Sequence, residues 1–277
     1  MKFKMTSLNP ARLTGIALLA AAAVVFPFSP LLAAGLAFLY MVLCLMAAFF
    51  PQSNFFLPVI SRGKTGENFV ALTFDDGPSP LTRDLLDLLD RYSAKATFFV
   101  SGVNVLKYPD VVGEIIARGH TLGNHSFHHH PFLMLCSYRH LKEEIFRVQE
   151  ILKEMGVCVF AFRPPVGIVN PKLPLVLDKL GMFCVTFSCR AFDAGNRRVR
   201  NLGARILKRV KPDDIILLHD GLPDAGDHHL VIAEAERVLR GLKDRKLKIL
   251  PLADLIGRDV MAEIPQVVKS IDVIKIF

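Results

Sequence analysis

The chain has 277 residues, a formal net charge of +8, five cysteines and no tryptophan. This length allows one domain of ordinary enzyme size plus an additional segment. The odd number of cysteines, without a CxxC pair, argues against a disulfide framework and against a cysteine metal site. The positive charge comes without a nucleic-acid-binding motif, so we expect no nucleic-acid partner.

The first 52 residues are predicted to be a membrane anchor. The 35 residues from Ile16 to Phe50 include no charged side chain, and as one helix they would measure about 52 Å against about 30 Å of hydrocarbon. Pro27 and Pro30 interrupt this run. One interpretation is therefore a hairpin of two spans, residues 11–28 and 31–50. The other is a single uncleaved signal anchor at residues 31–50, with the remaining chain facing outward. A cleaved signal peptide is less favoured, because no small-residue cleavage site follows.

Both interpretations anchor the protein in a bacterial-type inner membrane and leave the side of the main domain open. In the hairpin interpretation both ends lie on one side, and the positive-inside rule makes that side cytoplasmic. The basic residues concerned are Lys2, Lys4, Arg12, Arg62 and Lys64. Residues 53–68, which contain Pro58, Gly63 and Gly66, are predicted to be a linker.

From Phe69 onward, predicted strands alternate with predicted helices. The strands are Phe69–Phe74, Ala96–Val100, Cys158–Phe162, Phe183–Phe187, Asp214–Leu218 and Leu247–Leu250. The helices are Leu81–Tyr92, Asp110–Arg118, Tyr138–Met155, Lys172–Leu180, Leu202–Val210 and Leu230–Lys243. Such alternation predicts an α/β domain over residues 69–257 with a parallel sheet closed into a barrel. Residues 258–277 form a tail whose apolar spacing from Val260 predicts an amphipathic helix.

The motif TFDDGP places two acids, Asp75 and Asp76, directly after the first strand. Adjacent carboxylates at a strand end destabilise a fold unless they are solvated, paired or bound to metal. The following Gly77-Pro78 is a turn signal that would present them in a loop. The pair therefore predicts a functional site.

A second group of polar residues contains His125 and His129, four residues apart. That spacing predicts one face of a helical turn, where two imidazoles can bind one metal ion together with a carboxylate from elsewhere. His130 is an alternative to His129. Two nitrogens and one oxygen suit zinc, and would also accept cobalt, nickel or iron.

Three further motifs follow strand-like runs: FRPPVG at residues 162–167, SCRAFD at 188–193 and LLHD at 217–220. With TFDDGP and the histidine motif, the set resembles the polysaccharide deacetylase family over residues 68–257. These metal-dependent carbohydrate esterases include chitooligosaccharide and peptidoglycan deacetylases. The resemblance implies that the barrel is distorted and has seven strands.

The resemblance also implies a role for each matching residue. Asp75 would be the catalytic base, and Asp76 would bind the metal with His125 and His129. Arg163 would hold the base in place.

Three more residues complete the implied site. The backbone N–H of Val166 would bind the oxyanion, and His219 would be the general acid. Asp193 would pair with His219, and a histidine beside a carboxylate should have a raised pKa.

The sequence departs from the family pattern at three positions. Val166 stands where a tyrosine is usual, Arg190 where an aspartate is usual and Ala194 where a tryptophan is usual. An aromatic platform for a sugar ring is thereby lost, which makes a long glycan groove less favoured.

The positive charge is concentrated in residues 197–211. The basic residues there are Arg197, Arg198, Arg200, Arg205, Lys208, Arg209 and Lys211, without one acid among the intervening residues. The segment is either a solvated face or a patch for anionic lipid or a phosphate-bearing substrate. Together these features predict a hydrolase that removes an acetyl or formyl group from the nitrogen of an amino sugar, in a glycan or a lipid-linked saccharide. The alternative is a membrane-tethered glycan-binding relative without turnover.

Overall fold

The computed structural model describes residues 9–221 and 228–264. The helices are α1 Pro10–Val25, α2 Pro30–Phe49, α3 Thr82–Arg91, α4 Gly102–Lys107, α5 Pro109–Ala117, α6 Tyr138–Glu154, α7 Leu173–Lys179, α8 Leu202–Arg209, α9 His228–Asp244 and α10 Leu252–Ile256. The strands are β1 Val59–Ile60, β2 Phe69–Asp75, β3 Ala96–Val100, β4 Thr121–Asn124, β5 Val157–Val159, β6 Ala161–Phe162, β7 Phe183–Val185, β8 Cys189–Arg190, β9 Ile215–His219, β10 Lys248–Ile249 and β11 Met261–Glu263.

The main sheet is parallel and has the strand order β1-β7-β6-β4-β3-β2-β9-β8, with β10 pairing on β2. It curls into a half-barrel, consistent with the distorted barrel that the resemblance implies. In residues 9–221 and 228–264 this sheet has nine strands, where the resemblance implies seven. The predicted α/β class with a parallel sheet is confirmed.

The central strands form where the sequence has continuous apolar runs, as expected when both faces of a parallel sheet are covered. Strand β2 is buried at every residue after Phe69, and amphipathic α3 packs the leucines at 85, 86, 88 and 89 into the core. The predicted strands at 69–74, 96–100 and 214–218 agree with β2, β3 and β9 to within one residue.

Two predictions of local structure differ from the fold. The single strand predicted at Cys158–Phe162 is two strands, since β5 pairs antiparallel with β11 while β6 belongs to the main sheet. The amphipathic helix predicted from Val260 is wrong for residues 261–263, which form β11. Residues 265–277 of the predicted tail lie outside the described residues. Within the predicted linker, β1 pairs with β7.

The helices α1 and α2, joined by residues 26–29, form a hairpin that we call the N-terminal hairpin. They pack closely at Gly15, where a Cβ atom would lie 2.7 Å from the ring of Tyr40, and the Tyr40 hydroxyl donates to the carbonyl of Ala11 at 3.1 Å. At the tip, Phe28 is 87% exposed. By length and composition, α2 could cross a membrane, whereas α1 is shorter.

The base of the hairpin, residues 9–11 and 47–52, is attached to the main domain. The side-chain amide of Asn9 donates to the carbonyl of Phe56 at 2.6 Å. At the other end of the hairpin, the backbone N–H of Val169 donates to the carbonyl of Ala48 at 3.1 Å. Both ends of the hairpin therefore lie beside the half-barrel.

Candidate active site

The two acids of the TFDDGP motif face different partners. Asp75 is the last residue of β2 and lies in register with His219 of β9. Asp76 follows in the left-handed region, at φ 74°. This turn lets Asp75 reach Arg163 while Asp76 faces the imidazoles of His125 and His129.

Asp76, His125 and His129 form a group that could hold a metal ion, with ligand atoms all within 4.8 Å of one another. Asp76 Oδ1 lies 3.1 Å from His129 Nε2 and 3.5 Å from His125 Nε2. The predicted helical turn is wrong. The two histidines lie on an irregular loop after β4, in which Ser126 and His129 have φ values of 68° and 54°.

The alternative histidine lies elsewhere. His130 is exposed, and its Nδ1 accepts a hydrogen bond from the backbone N–H of Phe132 at 3.2 Å. The structure thus brings His129, not His130, to the carboxylate of Asp76.

The chemistry of this donor set fits a divalent transition metal. Asp76 Oδ1 is buried and has no hydrogen-bond partner. His125 Nδ1 lies 2.7 Å from the carbonyl of Arg163, which assigns the proton to Nδ1 and leaves the Nε2 lone pair free. Although burial opposes ionisation of Asp76, the neighbouring imidazoles of His125 and His129 outweigh it and hold the pKa of Asp76 well below the ordinary value. Burial lowers the pKa of His129, which favours the neutral form that binds metal.

Arg163 holds Asp75 in a buried network. Its Nη1 donates to Asp75 Oδ1 at 2.6 Å and to Thr73 Oγ1 at 2.8 Å, and Nη2 donates to the carbonyl of Thr186 at 3.0 Å. The guanidinium lies 3.9 Å from the ring centroid of Phe99. Because several contacts fix the guanidinium of Arg163, it holds the carboxylate of Asp75 in one orientation.

His219 is paired with Asp193, as the resemblance implies. Its Nδ1 lies 2.7 Å from Asp193 Oδ2, and the aspartate is 1% exposed. Burial alone would lower the pKa of His219, but the hydrogen bond and charge of Asp193 outweigh it and raise the pKa to about 9. The expected raised pKa is confirmed. The same hydrogen bond, acting against burial, lowers the pKa of Asp193.

Val166 lies on the rim of the same cleft. It is 53% exposed and has φ 52°, a conformation that is a genuine outlier for a β-branched residue. Such strain persists only where the surrounding structure imposes it, and it concentrates at functional sites. The cleft has a volume of about 1090 Å³ and is lined by Asp75, Asp76, His125, His129, Val166 and His219 among others.

Two buried acids that support the site were missed as functional residues. Both oxygens of Asp220 accept from the Thr82 hydroxyl, and burial, reinforced by the charge of Asp76, raises the pKa of Asp220 to about 7. The position of Asp220 in the LLHD motif was the sequence feature that could have identified it. Glu144 accepts from the backbone N–H of His128 at 2.9 Å and binds its Nδ1 at 2.6 Å. Glu144 lies on α6, where no local pattern distinguishes it from a solvated helix residue.

A parallel half-barrel with its polar side chains gathered after the strands has the architecture of a barrel enzyme. Residues 62–185 match the family model described as polysaccharide deacetylase. The peptidoglycan-N-acetylglucosamine deacetylase of Bacillus cereus is 31% identical over 193 residues, covering 69% of this chain and 89% of the relative. The chitooligosaccharide deacetylase of Sinorhizobium fredii is 30% identical over 200 residues, covering 69% and 93%. The chain belongs to the polysaccharide deacetylase family.

Solved structures agree with this assignment. A crystal structure of a peptidoglycan N-acetylglucosamine deacetylase matches with a TM-score of 0.67 and 26% identity, over 73% of this chain and 94% of that one. A pseudoenzyme of carbohydrate esterase family 4 from Bacillus anthracis matches with a TM-score of 0.63 over 72% and 68%, at 20% identity. That likeness shows the fold alone. Since the fold occurs in a pseudoenzyme, the fold by itself does not imply turnover.

Proposed function

We propose that this protein is a zinc-dependent hydrolase that removes an acetyl or formyl group from the nitrogen of an amino sugar, in a glycan or a lipid-linked saccharide. One observation carries the proposal. A single cleft contains a buried carboxylate oxygen without a hydrogen-bond partner facing two imidazoles, next to an aspartate held by arginine and a histidine held by aspartate.

Asp76, His125 and His129 would hold the metal. When bound, zinc supplies a Lewis acid that lowers the pKa of water and polarises a carbonyl oxygen. Three protein ligands leave open positions, as is usual for catalytic zinc. Cobalt, nickel or iron would suit the same donors.

The other side chains then move the protons. Asp75, fixed by Arg163, takes a proton from the attacking water while the water oxygen forms a bond to the acyl carbon. His219, kept protonated beside Asp193, gives its proton to the nitrogen as the C–N bond breaks. The products are the carboxylic acid and the free amine. The backbone N–H of Val166 would donate to the oxyanion.

We also propose that the N-terminal hairpin lies in a bacterial-type inner membrane. Its surface carries exposed apolar side chains, including Phe28, Leu31 and Phe38. Because Asn9 and Ala48 both contact the main domain, the two ends would share one side of the membrane. The basic residues near these ends favour the cytoplasmic side. A single signal anchor would instead place residue 9 across the bilayer from the domain.

The test measures release of acetate or formate by the full-length, zinc-loaded protein in detergent. The substrates are an N-acetylated glycan oligomer and, separately, a lipid-linked N-acylated amino sugar. Asp75→Asn is expected to abolish turnover while zinc remains bound, as measured by metal analysis after gel filtration. Loss of zinc from this variant would make Asp75 a ligand rather than the base.

A control variant separates fold from chemistry. His130→Ala, which removes the exposed histidine beside the ligand loop, should retain zinc and turnover, whereas His129→Ala should lose both. Reloading the metal-free protein with cobalt, nickel or iron identifies the preferred ion. No release from either substrate, with zinc bound and the fold intact, would support the glycan-binding alternative.

A further inference from the structure

A cluster of cationic and aromatic side chains forms one wall of the cleft, apart from the metal ligands. Arg190 and Phe192 both line the cleft. The guanidinium carbon of Arg190 lies 4.1 Å from the ring centroid of Phe192 and 5.3 Å from that of Phe187. The guanidinium carbon of Arg209, at the end of α8, lies 4.9 Å from the Phe192 centroid. We call Arg190, Phe192 and Arg209 the arginine wall.

Neither guanidinium of the arginine wall is paired with a carboxylate among the described residues. Neither Arg190 nor Arg209 forms an ion pair or a side-chain hydrogen bond there, whereas other arginines, Arg62, Arg83 and Arg118 among them, pair with carboxylates. The nearby Asp193 is already bound to His219. Burial and the positive charge of Arg209 lower the pKa of Arg190, and the negative charge of Asp193 offsets this only in part. Two guanidinium groups near one ring repel each other, and an anion bound in the cleft at Arg190 would relieve that repulsion.

The position of the wall relative to the catalytic groups is set by the sheet. Arg190 on β8 lies in register with Leu217 on β9, two residues before His219. Asp193, three residues after Arg190, holds His219. An anion bound by Arg190 would therefore lie in the same cleft as the reacting acyl group, beside the histidine that protonates the leaving nitrogen.

The cleft also opens beside the hairpin. The side chain of Gln52, just after α2, donates to the carbonyl of Phe187 at 3.0 Å, and Ala48 accepts from Val169. Phe187 and Val166 line the cleft. The wall of the cleft is thus attached to the base of the apolar hairpin.

We propose that the arginine wall is a subsite for a phosphate ester, and that the substrate is an N-acylated amino sugar joined through a phosphodiester to a membrane lipid. This inference rests on the proposed function, whose substrate class it narrows. Guanidinium groups bind phosphate oxygens in pairs of hydrogen bonds. The lipid chain would stay in the bilayer beside the hairpin while the sugar enters the cleft. A neutral glycan would leave the arginine wall without a counter-charge.

The test uses the full-length, zinc-loaded protein in detergent micelles with three forms of one sugar. They are methyl N-acetylglucosaminide, the methyl phosphodiester of N-acetylglucosamine 1-phosphate, and the same phosphodiester carrying an isoprenoid chain. The wild type should show a higher kcat/KM for both phosphodiesters than for the neutral glycoside. Arg190→Gln should reduce that preference by about tenfold or more, mainly through KM, the loss expected for a hydrogen bond to a charged group. The preference of Arg190→Lys for the phosphodiesters should lie between that of the wild type and that of Arg190→Gln.

Lys208→Gln is the matched control, because Lys208 is exposed on the same helix as Arg209 and makes no cation–π contact with the described aromatic rings. It should retain the wild-type preference. Equal turnover of the neutral glycoside and the phosphodiesters would overturn the subsite while the proposed function stands. Equal kcat/KM values for the two phosphodiesters would support the phosphate subsite and overturn the proposal that the substrate is joined to a lipid.

A binding measurement separates failure of the subsite from failure of the proposed function. If the wild type hydrolyses none of the three compounds, the proposed function fails for this sugar, and calorimetric titration then decides the subsite. Tighter binding of the methyl phosphodiester than of the neutral glycoside, lost in Arg190→Gln, would uphold it. Equal binding of the two compounds would overturn it.

Discussion

The guanidinium of Arg163 and the carboxylate of Asp75 form an ion pair removed from solvent, with Nη1 2.6 Å from Oδ1. The side chains are 0% and 5% exposed. Taking two charges out of water carries a large solvation cost, which the mutual attraction offsets only when the remaining donors are also bonded. Thr73 and the carbonyl of Thr186 bind Nη1 and Nη2 of Arg163, whereas its buried Nε has no partner among the described residues.

Arg163→Gln should lower the free energy of unfolding by about 3–5 kcal/mol, because it leaves the charge of Asp75 buried without its partner. Asp75→Asn should also destabilise, by leaving the guanidinium unpaired. The double variant should recover part of the loss, since neither charge then remains. Urea denaturation of the metal-free protein measures all three. The control is Thr97→Val, which removes one neutral hydrogen bond to the Thr121 hydroxyl at 2.8 Å and is expected to cost about 1 kcal/mol. Additive effects of the two charge changes would contradict the coupling.

The His219–Asp193 pair predicts the basic side of the pH profile. If His219 is the acid, kcat of the zinc-loaded protein should hold as the pH rises past the ordinary histidine pKa and then fall where His219 loses its proton, because Asp193 outweighs burial and raises the pKa of His219. Asp193→Asn removes the negative charge, so the fall should move toward the ordinary histidine pKa of 6.5. Initial rates of the wild type and of Asp193→Asn between about pH 5 and 10 give the pH at which kcat falls. An unchanged basic limb in the variant would show that another group titrates there.

The same pair predicts a change of stability with pH. The pKa of His219 is higher in the folded state than its ordinary 6.5, so the folded state binds more protons between 6.5 and about 9. The stabilisation is therefore complete below pH 6.5 and is lost as the pH rises through 9. Chemical denaturation of the metal-free wild type should show this decline. In Asp193→Asn it should be much smaller, and a decline of equal size would assign it to other groups.

Gly77 should tolerate no side chain, because a Cβ atom there would lie 2.1 Å from Asp220 Oδ2. Asp220 is fully buried, so the turn that carries Asp76 would have to move. Gly77→Ala should therefore lower zinc affinity and thermal stability together, as measured by chelator competition and thermal denaturation. The control is Gly113→Ala on α5, where nothing lies within 4 Å, and where alanine should stabilise the helix by up to about 1 kcal/mol. Unchanged zinc binding by Gly77→Ala would mean that Asp220 can move aside.

The elements that the sequence predicts well are those whose environment is uniform. Strands β2 and β3 are buried along nearly their whole length, so continuous apolar runs identified them. Strand β4, Thr121–Asn124, has a single large apolar residue and was not predicted. Its Gly123 lies against the ring of Phe99, where a Cβ atom would be 2.5 Å away. Close packing between the strands requires glycine at position 123, and because glycine is not typical of strands, the sequence does not indicate β4 there.

The candidate site was likewise predicted from the sequence only in part. The spacing of His125 and His129 led to the prediction that both face one metal, yet the local structure is an irregular loop with two residues at positive φ. Glu144 supports that loop from α6, a contact that only the tertiary fold creates. Motifs thus indicated the polar side chains that line the cleft, whereas the buried groups that position them depend on packing between distant segments.

The hairpin itself can be tested by the two glycines that face different surroundings. At Gly15 a side chain would meet the ring of Tyr40 at 2.7 Å, whereas at Gly35 nothing lies within 4 Å. Gly15→Leu should force α1 away from α2 and weaken the bond from the Ala11 N–H to the carbonyl of Phe55. Gly35→Leu adds the same apolar volume on an exposed face. Hydrogen exchange in detergent should therefore show faster exchange at Ala11 only in the first variant, and equal exchange in both would contradict the packing of α1 on α2.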